Sequence, residues 1–127
     1  MSKGENDMRR EDFENRQVAE DITIGTPTEV IFQRIQYRED ANNEIIGAFV
    51  HIKDYRALYI PIFEERNTQL DLLLNQLGIK SYRESEINNC AGTKIIATRY
   101  IAERNGRTYT NVSFNPNPQQ DEAEEYA

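Results

Sequence analysis

Residues 100–118, YIAERNGRTYTNVSFNPNP, carry the clearest secondary-structure signal of the chain. Asn105-Gly106 near its middle is typical of a two-residue β-hairpin turn, in which both positions need a positive φ. The β-branched and aromatic residues on both sides are typical of strands. The sequence therefore predicts two antiparallel strands, residues 93–103 and 107–114, that are joined at this turn.

The two-residue turn also predicts which residues of the two strands lie opposite each other, because it fixes the register. The predicted pairs on one face, which we expect to point outward, are Arg104 with Arg107, Ala102 with Tyr109, Tyr100 with Asn111, and Thr98 with Ser113. The opposite face is expected to face the core, with Arg99 as its only ion, and carries Ile95, Ala97, Ile101, Val112 and Phe114.

Three further strands are predicted upstream of the hairpin. They are EVIFQRIQY (29–37), IIGAFVHIKD (45–54) and ALYIPIF (57–63). Pro61 cannot donate a backbone hydrogen bond, so the third strand is expected at an edge or a bend. Gly47 indicates a bulge in the second strand or a point where another backbone comes close.

The hydrophobic period then changes to that of a helix. In residues 67–78, NTQLDLLLNQLG, four leucines at positions 70, 73, 74 and 77 fall on one helical face. Asn67 or Thr68 can cap the start, and Gly78 can take the left-handed conformation after the end. Residues 79–92 are expected to be a connector that can include a short helical turn, with Ile87 against the core.

The predicted order is three strands, one helix and two strands. We therefore predict a mainly β, small α+β fold: a five-stranded OB-fold barrel with one helix between strands three and four. Proteins of this fold bind oligonucleotides or oligosaccharides on one face and its loops. Other small α+β folds share the same order of elements.

Charge divides the 127-residue chain into three parts. The formal net charge of -7 comes from residues 1–21, which sum to -3, and residues 119–127, which sum to -4. Residues 22–118 are neutral. Because charged segments with few apolar residues have little to bury, we expect a flexible N-terminal arm (1–21), one OB-fold domain (22–118) and a disordered acidic C-terminal tail (119–127).

Several classes of protein are disfavoured by composition. No apolar run approaches the roughly 20 residues that a membrane helix needs, and the first residues lack the apolar stretch of a secretory signal, so we expect a cytoplasmic protein without a membrane partner. One cysteine and one histidine leave no internal disulfide and too few ligands for a typical zinc site. Without a phosphate-binding loop or a nucleophile motif, the chain is expected to be a non-enzyme without metal or cofactor.

Basic and aromatic residues occur together at the hairpin and at a second loop, HIKDYR (51–56). Bases stack on aromatic rings and arginines bind phosphates, so this combination is typical of single-stranded nucleic-acid sites. The alternative is an ordinary exposed aromatic pair with solubilising arginines. The predicted nucleic-acid-binding residues are Tyr100, Arg104, Arg107, Tyr109, Asn111, Lys53, Tyr55 and Arg56, and the residues that could extend this surface are Arg34, Tyr37, Arg38, His51 and Tyr59.

A longer run, residues 72–116, resembles a known family. In this run a leucine-rich helix ends in Leu77-Gly78, and Gly92 precedes a basic strand. The strand continues into a hairpin and a closing motif of the form Y-x-N-V-x-F-x-P. The matching residues of the hairpin and the motif are Asn105-Gly106-Arg107, Tyr109, Asn111-Val112, Phe114 and Pro116. This run resembles the C-terminal half of the OB-fold single-stranded-DNA-binding proteins of bacteriophages and conjugative elements of Gram-positive bacteria. The resemblance covers about the last half of the domain.

The resemblance implies binding of single-stranded DNA, with little sequence preference, in replication, recombination or transfer of a phage or mobile element. The ending DEAEEYA is similar to the acidic tails with which such proteins recruit replication or recombination proteins and shield their own groove, although it lacks a final Pro-Phe. A homo-oligomer is compatible with this reading. Two alternatives stay open: a protein-interaction or inhibitor module that acts as an acidic DNA mimic, and an RNA-binding regulator on the same fold.

Overall fold

The computed structural model describes residues 20–117. Within this range the elements are β1 (Thr28–Glu39), β2 (Ile45–Ile52), β3 (Leu58–Pro61), α1 (Thr68–Leu77), α2 (Glu84–Asn88), β4 (Lys94–Arg104) and β5 (Arg107–Ser113). The disorder expected for the tail, and for most of the N-terminal arm, concerns residues outside the described range. No described helix is long and apolar enough to cross a membrane.

The five strands form one antiparallel sheet in the order β3-β2-β1-β4-β5. β1 is shared between two partners: residues 28–31 pair with β4, and residues 32–39 pair with β2. A register shift between Phe32 and Arg34 marks the change of partner, and such irregularities bend a strand and increase its twist. The predicted mainly β fold with five strands is therefore confirmed.

The sheet is open, so a closed barrel is not observed. The two edge strands, β3 and β5, contact each other across the gap without forming a ladder. The edge position predicted for β3 from Pro61 is confirmed. The gap between β3 and β5 is called the seam.

The core lies between the curved sheet and α1. Phe32 and Phe114 are fully buried, and all four leucines of the predicted helical stripe are buried against the sheet. α1 ends as the sequence predicts: Gly78 has φ 81°, and its N–H donates to the carbonyl oxygens of Leu74 and Asn75. The side chain of Asn67 does not cap the helix.

A second, five-residue helix, α2, lies in the connector for which the sequence allows a short helical turn, so two helices and not one lie between β3 and β4. Ile87 of this helix is fully buried, as predicted. Asn88 at its end accepts a hydrogen bond from Ile35 N (2.7 Å) and donates one to Ile35 O (3.3 Å), and Glu84 accepts one from Tyr37 N (2.9 Å). β4 pairs only with residues 28–31 of β1. Farther along β1, Asn88 and Glu84 of α2 therefore provide side-chain hydrogen-bond partners for backbone groups of Ile35 and Tyr37.

The register predicted for the β4–β5 hairpin is confirmed in all four pairs. Asn105 and Gly106 both have positive φ values, 55° and 75°, as this turn requires. The predicted division into an outward face and a core face is wrong at both ends of the hairpin. Thr98 and Ser113, expected on the outward face, are buried, whereas Ile101, expected in the core, is 57% exposed.

The physical reason for this error is the position of α1. Gln76 of α1 exchanges hydrogen bonds with Ile96 N (2.8 Å) and Ile96 O (2.8 Å) of β4, and donates another to Phe114 O (2.6 Å). These bonds place α1 beside the base of the hairpin, where Thr98 and Ser113 are buried. Towards the turn, around Ile101, both faces of the hairpin are more exposed.

Candidate nucleic-acid interface

The outer face of β1, β2 and β3 carries aromatic and basic side chains in adjacent rows. The register places Arg34 opposite His51, Gln36 opposite Phe49, and Arg38 opposite Gly47, and it places Phe49 opposite Tyr59 of β3. Since neighbouring residues of a strand point to opposite faces, these residues share one face. This surface is called the outer platform, and its members are Arg34, Gln36, Arg38, Gly47, Phe49, His51 and Tyr59.

Two aromatic rings lie at the centre of the outer platform. The ring centroids of Phe49 and Tyr59 are 5.0 Å apart with an interplanar angle of 56°, a tilted arrangement that aromatic pairs favour. The guanidinium carbon of Arg38 lies 6.0 Å from the centroid of Tyr59, at the limit of a cation–π contact. Both rings are half-buried, so part of each is open to a ligand.

Gly47 explains how Tyr59 reaches this position. A Cβ atom on Gly47 would overlap the ring of Tyr59, so any other residue would displace that ring. The hydroxyl of Tyr59 donates to Ile46 O at 3.5 Å, which helps to hold the ring over the strand. The sequence predicts a bulge or the close approach of another backbone at Gly47. The ladder is irregular beside Gly47, between Arg38 and Glu39, but the group that approaches Gly47 is a tyrosine ring and not a backbone.

A polar group borders the aromatic pair. Gln36 Oε1 accepts hydrogen bonds from His51 Nε2 (3.3 Å) and Arg34 Nη1 (3.5 Å). Partial burial, and secondarily the positive charge of Arg34, lower the pKa of His51 below its usual value. At neutral pH His51 is therefore uncharged, and it becomes a further cation when the pH falls.

A cleft of about 770 Å³ lies along the seam, next to the outer platform. This seam cleft has one wall from β3 and the start of α1 and another from the β4–β5 hairpin; Tyr59 belongs to both the platform and the cleft. Its lining includes Tyr59, Phe63, Arg66, Asn67 and Gln69 on the first wall, and Tyr100, Arg104, Tyr109 and Asn111 on the second. Aromatic rings and arginines therefore occur on both walls.

Four of the eight predicted site residues line the seam cleft: Tyr100, Arg104, Tyr109 and Asn111. Arg107 is exposed opposite Arg104 next to the hairpin turn, but it is not part of the lining. The face predicted as an outward platform is thus one wall of a cleft.

The other three predicted residues, Lys53, Tyr55 and Arg56, lie in the β2–β3 connection and are not part of the cleft lining. Tyr55 packs against the core, and the backbone N–H of Arg56 donates to Glu20 O at 3.0 Å. Tyr37, considered as an extension of the site, also packs against the core, and its hydroxyl donates to Tyr82 O at 2.6 Å.

Sequence reasoning missed Phe49, Phe63 and Arg66. Phe49 could have been found, because it alternates with Gly47 and His51 on the face of β2 opposite Ala48, Val50 and Ile52. Phe63 and Arg66 lie in the connection between β3 and α1. The predicted third strand extends to Phe63, but β3 ends at Pro61. Phe63 is 60% exposed and lines the seam cleft.

A scan against models of protein families finds no match, and a search of curated proteins finds no similar sequence.

Proposed function

We propose that the protein is an OB-fold protein that binds single-stranded DNA with little sequence preference, in the replication, recombination or transfer of a phage or mobile element. The barrel assignment is supported by the strand order, in which β3 and β5 are the free edges that contact each other. A closing contact between these two strands would complete a five-stranded barrel of the OB type.

The observation that carries the proposal is the continuity of aromatic and basic side chains from the outer platform into the seam cleft. Phe49 and Tyr59 provide ring surface on the sheet, and Tyr100 and Tyr109 provide it across the seam. Any base can stack on such rings, which gives affinity without sequence preference.

Arginines accompany these rings along the whole surface. Arg34 and Arg38 lie on the outer platform, whereas Arg66 and Arg104 line the seam cleft. Each can contact the phosphates of a strand whose bases stack on the neighbouring rings. An extended single strand can expose its bases to these rings, whereas the bases of a duplex are stacked on one another.

Substitution of the rings tests the proposal. Stacking contributes roughly 1–3 kcal/mol per base, so Phe49→Ala and Tyr109→Ala should each weaken the binding of an oligo-dT by about 5- to 150-fold. Tyr82→Ala is a matched control, because Tyr82 is exposed and lies outside both the outer platform and the seam cleft. Fluorescence anisotropy of a labelled oligonucleotide measures all three affinities.

Two outcomes would redirect the proposal. If Phe49→Ala and Tyr109→Ala bind as tightly as the parent protein, neither ring is part of the site. If a matched oligo-U strand binds more tightly than the deoxy strand, the protein is an RNA-binding protein on the same surface, since stacking platforms accept both sugars.

A further inference from the structure

The turn of the β4–β5 hairpin places the single Asn-Gly pair of the chain between two arginines. Asn105 and Gly106 form the turn, and Arg104 lies directly opposite Arg107 beside it. Residues 103–110 are all exposed. An asparagine followed by glycine loses ammonia more readily than other asparagines, because no side chain on the next residue hinders attack of its backbone nitrogen on the asparagine amide.

The backbone nitrogen of Gly106 is available for this attack. In a two-residue hairpin the ladder bonds beside the turn are made by the flanking residues, here Arg104 and Arg107, so the Gly106 N–H has no ladder partner. A Cβ added to Gly106 would meet nothing within 4 Å, so the space around this residue is open. The two guanidinium groups beside the turn favour loss of the Gly106 proton, because they stabilise the negative charge that remains on the nitrogen.

The end of the hairpin can also open. Among the described residues, β1 pairs with β4 only up to Ala97, so β4 and β5 continue beyond it as a two-stranded ribbon. Such a ribbon is only marginally stable in water, and local opening of an exposed segment costs little free energy. Asn105 can therefore leave the tight turn and bring its side-chain carbonyl carbon to the nitrogen of Gly106.

We propose that Asn105 is a site of spontaneous deamidation and that its product weakens the binding of phosphate at the seam cleft. The nitrogen of Gly106 loses its proton and forms a bond to Cγ of Asn105, and the bond from Cγ to Nδ2 breaks as ammonia leaves with that proton. The resulting succinimide takes up water from the solvent and opens to aspartate or isoaspartate.

Both products change the wall of the cleft to which Arg104 belongs. The new carboxylate lies between Arg104 and Arg107 and competes with phosphate for them. Isoaspartate also lengthens the backbone of a turn that holds only two residues. The effect on binding rests on the proposed function, whereas the reaction itself does not.

Mass spectrometry of the full chain, incubated in mildly alkaline buffer, tests the reaction. Cleavage after glutamate gives a fragment of residues 104–122, and its fragmentation locates the converted asparagine. We expect the mass shift of deamidation at Asn105 while Asn43 stays unchanged. Asn43 is the internal control, because it is exposed with φ 63° in the β1–β2 turn but is followed by Glu44. If Asn105 is converted in urea but not in the folded chain, the turn stays closed and the proposal is wrong.

Two aspartate variants test the effect on binding. Asn105→Asp introduces the carboxylate directly, and Asp-Gly suits the same turn. It should weaken oligo-dT binding by about two- to fivefold, the size of one exposed charge interaction, and lower the salt dependence by about one phosphate contact. Asn43→Asp makes the same change of charge outside the outer platform and the seam cleft, and it should do neither.

Asn105→Gly separates this reaction from other effects of incubation. Glycine readily takes a positive φ, so the variant keeps the turn, but it cannot deamidate there. After the same incubation the parent protein should have lost affinity in proportion to its conversion, whereas Asn105→Gly should not. Conversion without a loss of affinity would overturn the proposed effect on binding alone. Failure of the fresh parent protein to bind oligo-dT would overturn the proposed function, and the mass measurement would still decide whether Asn105 reacts.

Discussion

At the scale of single residues, Gly47 is expected to control affinity through Tyr59. Gly47→Ala forces the ring of Tyr59 away from the sheet, because the new Cβ occupies the position of the ring. We expect Gly47→Ala to weaken oligo-dT binding about as much as Tyr59→Ala does. In a protein that already carries Tyr59→Ala, the glycine substitution should have little further effect on affinity, since interacting residues are not additive. Additive losses would show that Gly47 acts independently of the ring.

His51 predicts how binding depends on pH. It is the single histidine of the chain, and burial together with Arg34 lowers its pKa in the folded protein. A bound phosphate would favour the charged imidazole, so oligo-dT affinity should rise as the pH falls from 8 to 5.5. The effect on folding has the opposite sign: the folded state favours neutral His51, so this contribution to stability is present above the unfolded pKa of about 6.5 and is lost as the pH falls below it.

Anisotropy at constant ionic strength measures this pH dependence. His51→Gln is the comparison, because it keeps a polar side chain without a charge in this pH range. The parent protein should gain more affinity between pH 8 and 5.5 than His51→Gln does. Equal gains in the two proteins would mean that His51 does not face the bound strand.

At the scale of elements, the packing of α2 against β1 is expected to be important for stability. Asn88 satisfies both backbone groups of Ile35, which is buried. Asn88→Ala leaves these groups without their partner, and a buried unsatisfied group costs about 1–3 kcal/mol. We therefore expect the free energy of unfolding, measured by urea denaturation, to fall by about 2 kcal/mol or more. Asn89→Ala at the neighbouring exposed position is the control, and an equal loss there would contradict the role of Asn88.

The same elements show what the sequence could predict. The hairpin turn at Asn105-Gly106, the leucine stripe of α1 and the alternation along the strands are local patterns, and all of them appear in the structure. The register around Asn105-Gly106 follows from the turn alone.

Contacts between distant segments could not be predicted. No local pattern predicts that Thr98 and Ser113 are buried at the base of the hairpin, where Gln76 of α1 bonds the backbone of Ile96 and Phe114. Asn88 bonds Ile35 across 53 positions of sequence, and Gln69 bonds Phe114 across 45. For the same reason the β4–β5 face was predicted as an open platform, although the segment between β3 and α1 forms a wall opposite to it.

At the scale of the whole molecule, the distribution of charge is consistent with a nucleic-acid-binding domain that has acidic ends. Residues 22–118 carry no net charge, and the excess of acid is in residues 1–21 and 119–127. Local arginines on the platform and in the cleft can therefore bind phosphates although the chain as a whole is acidic. Salt should weaken such binding strongly, because each phosphate contact releases counterions.

The most direct measurement is the anisotropy of a labelled oligo-dT of about 30 nucleotides, long enough for more than one site of roughly 4–16 nucleotides, titrated with the full chain at several salt concentrations beside a duplex of the same length. We predict tight binding of the single strand at low salt, a steep loss of affinity as salt increases, and much weaker binding of the duplex. The slope against salt then reports the number of phosphates contacted. No binding of the single strand at low salt, or equal affinity for the duplex, would contradict the central claim.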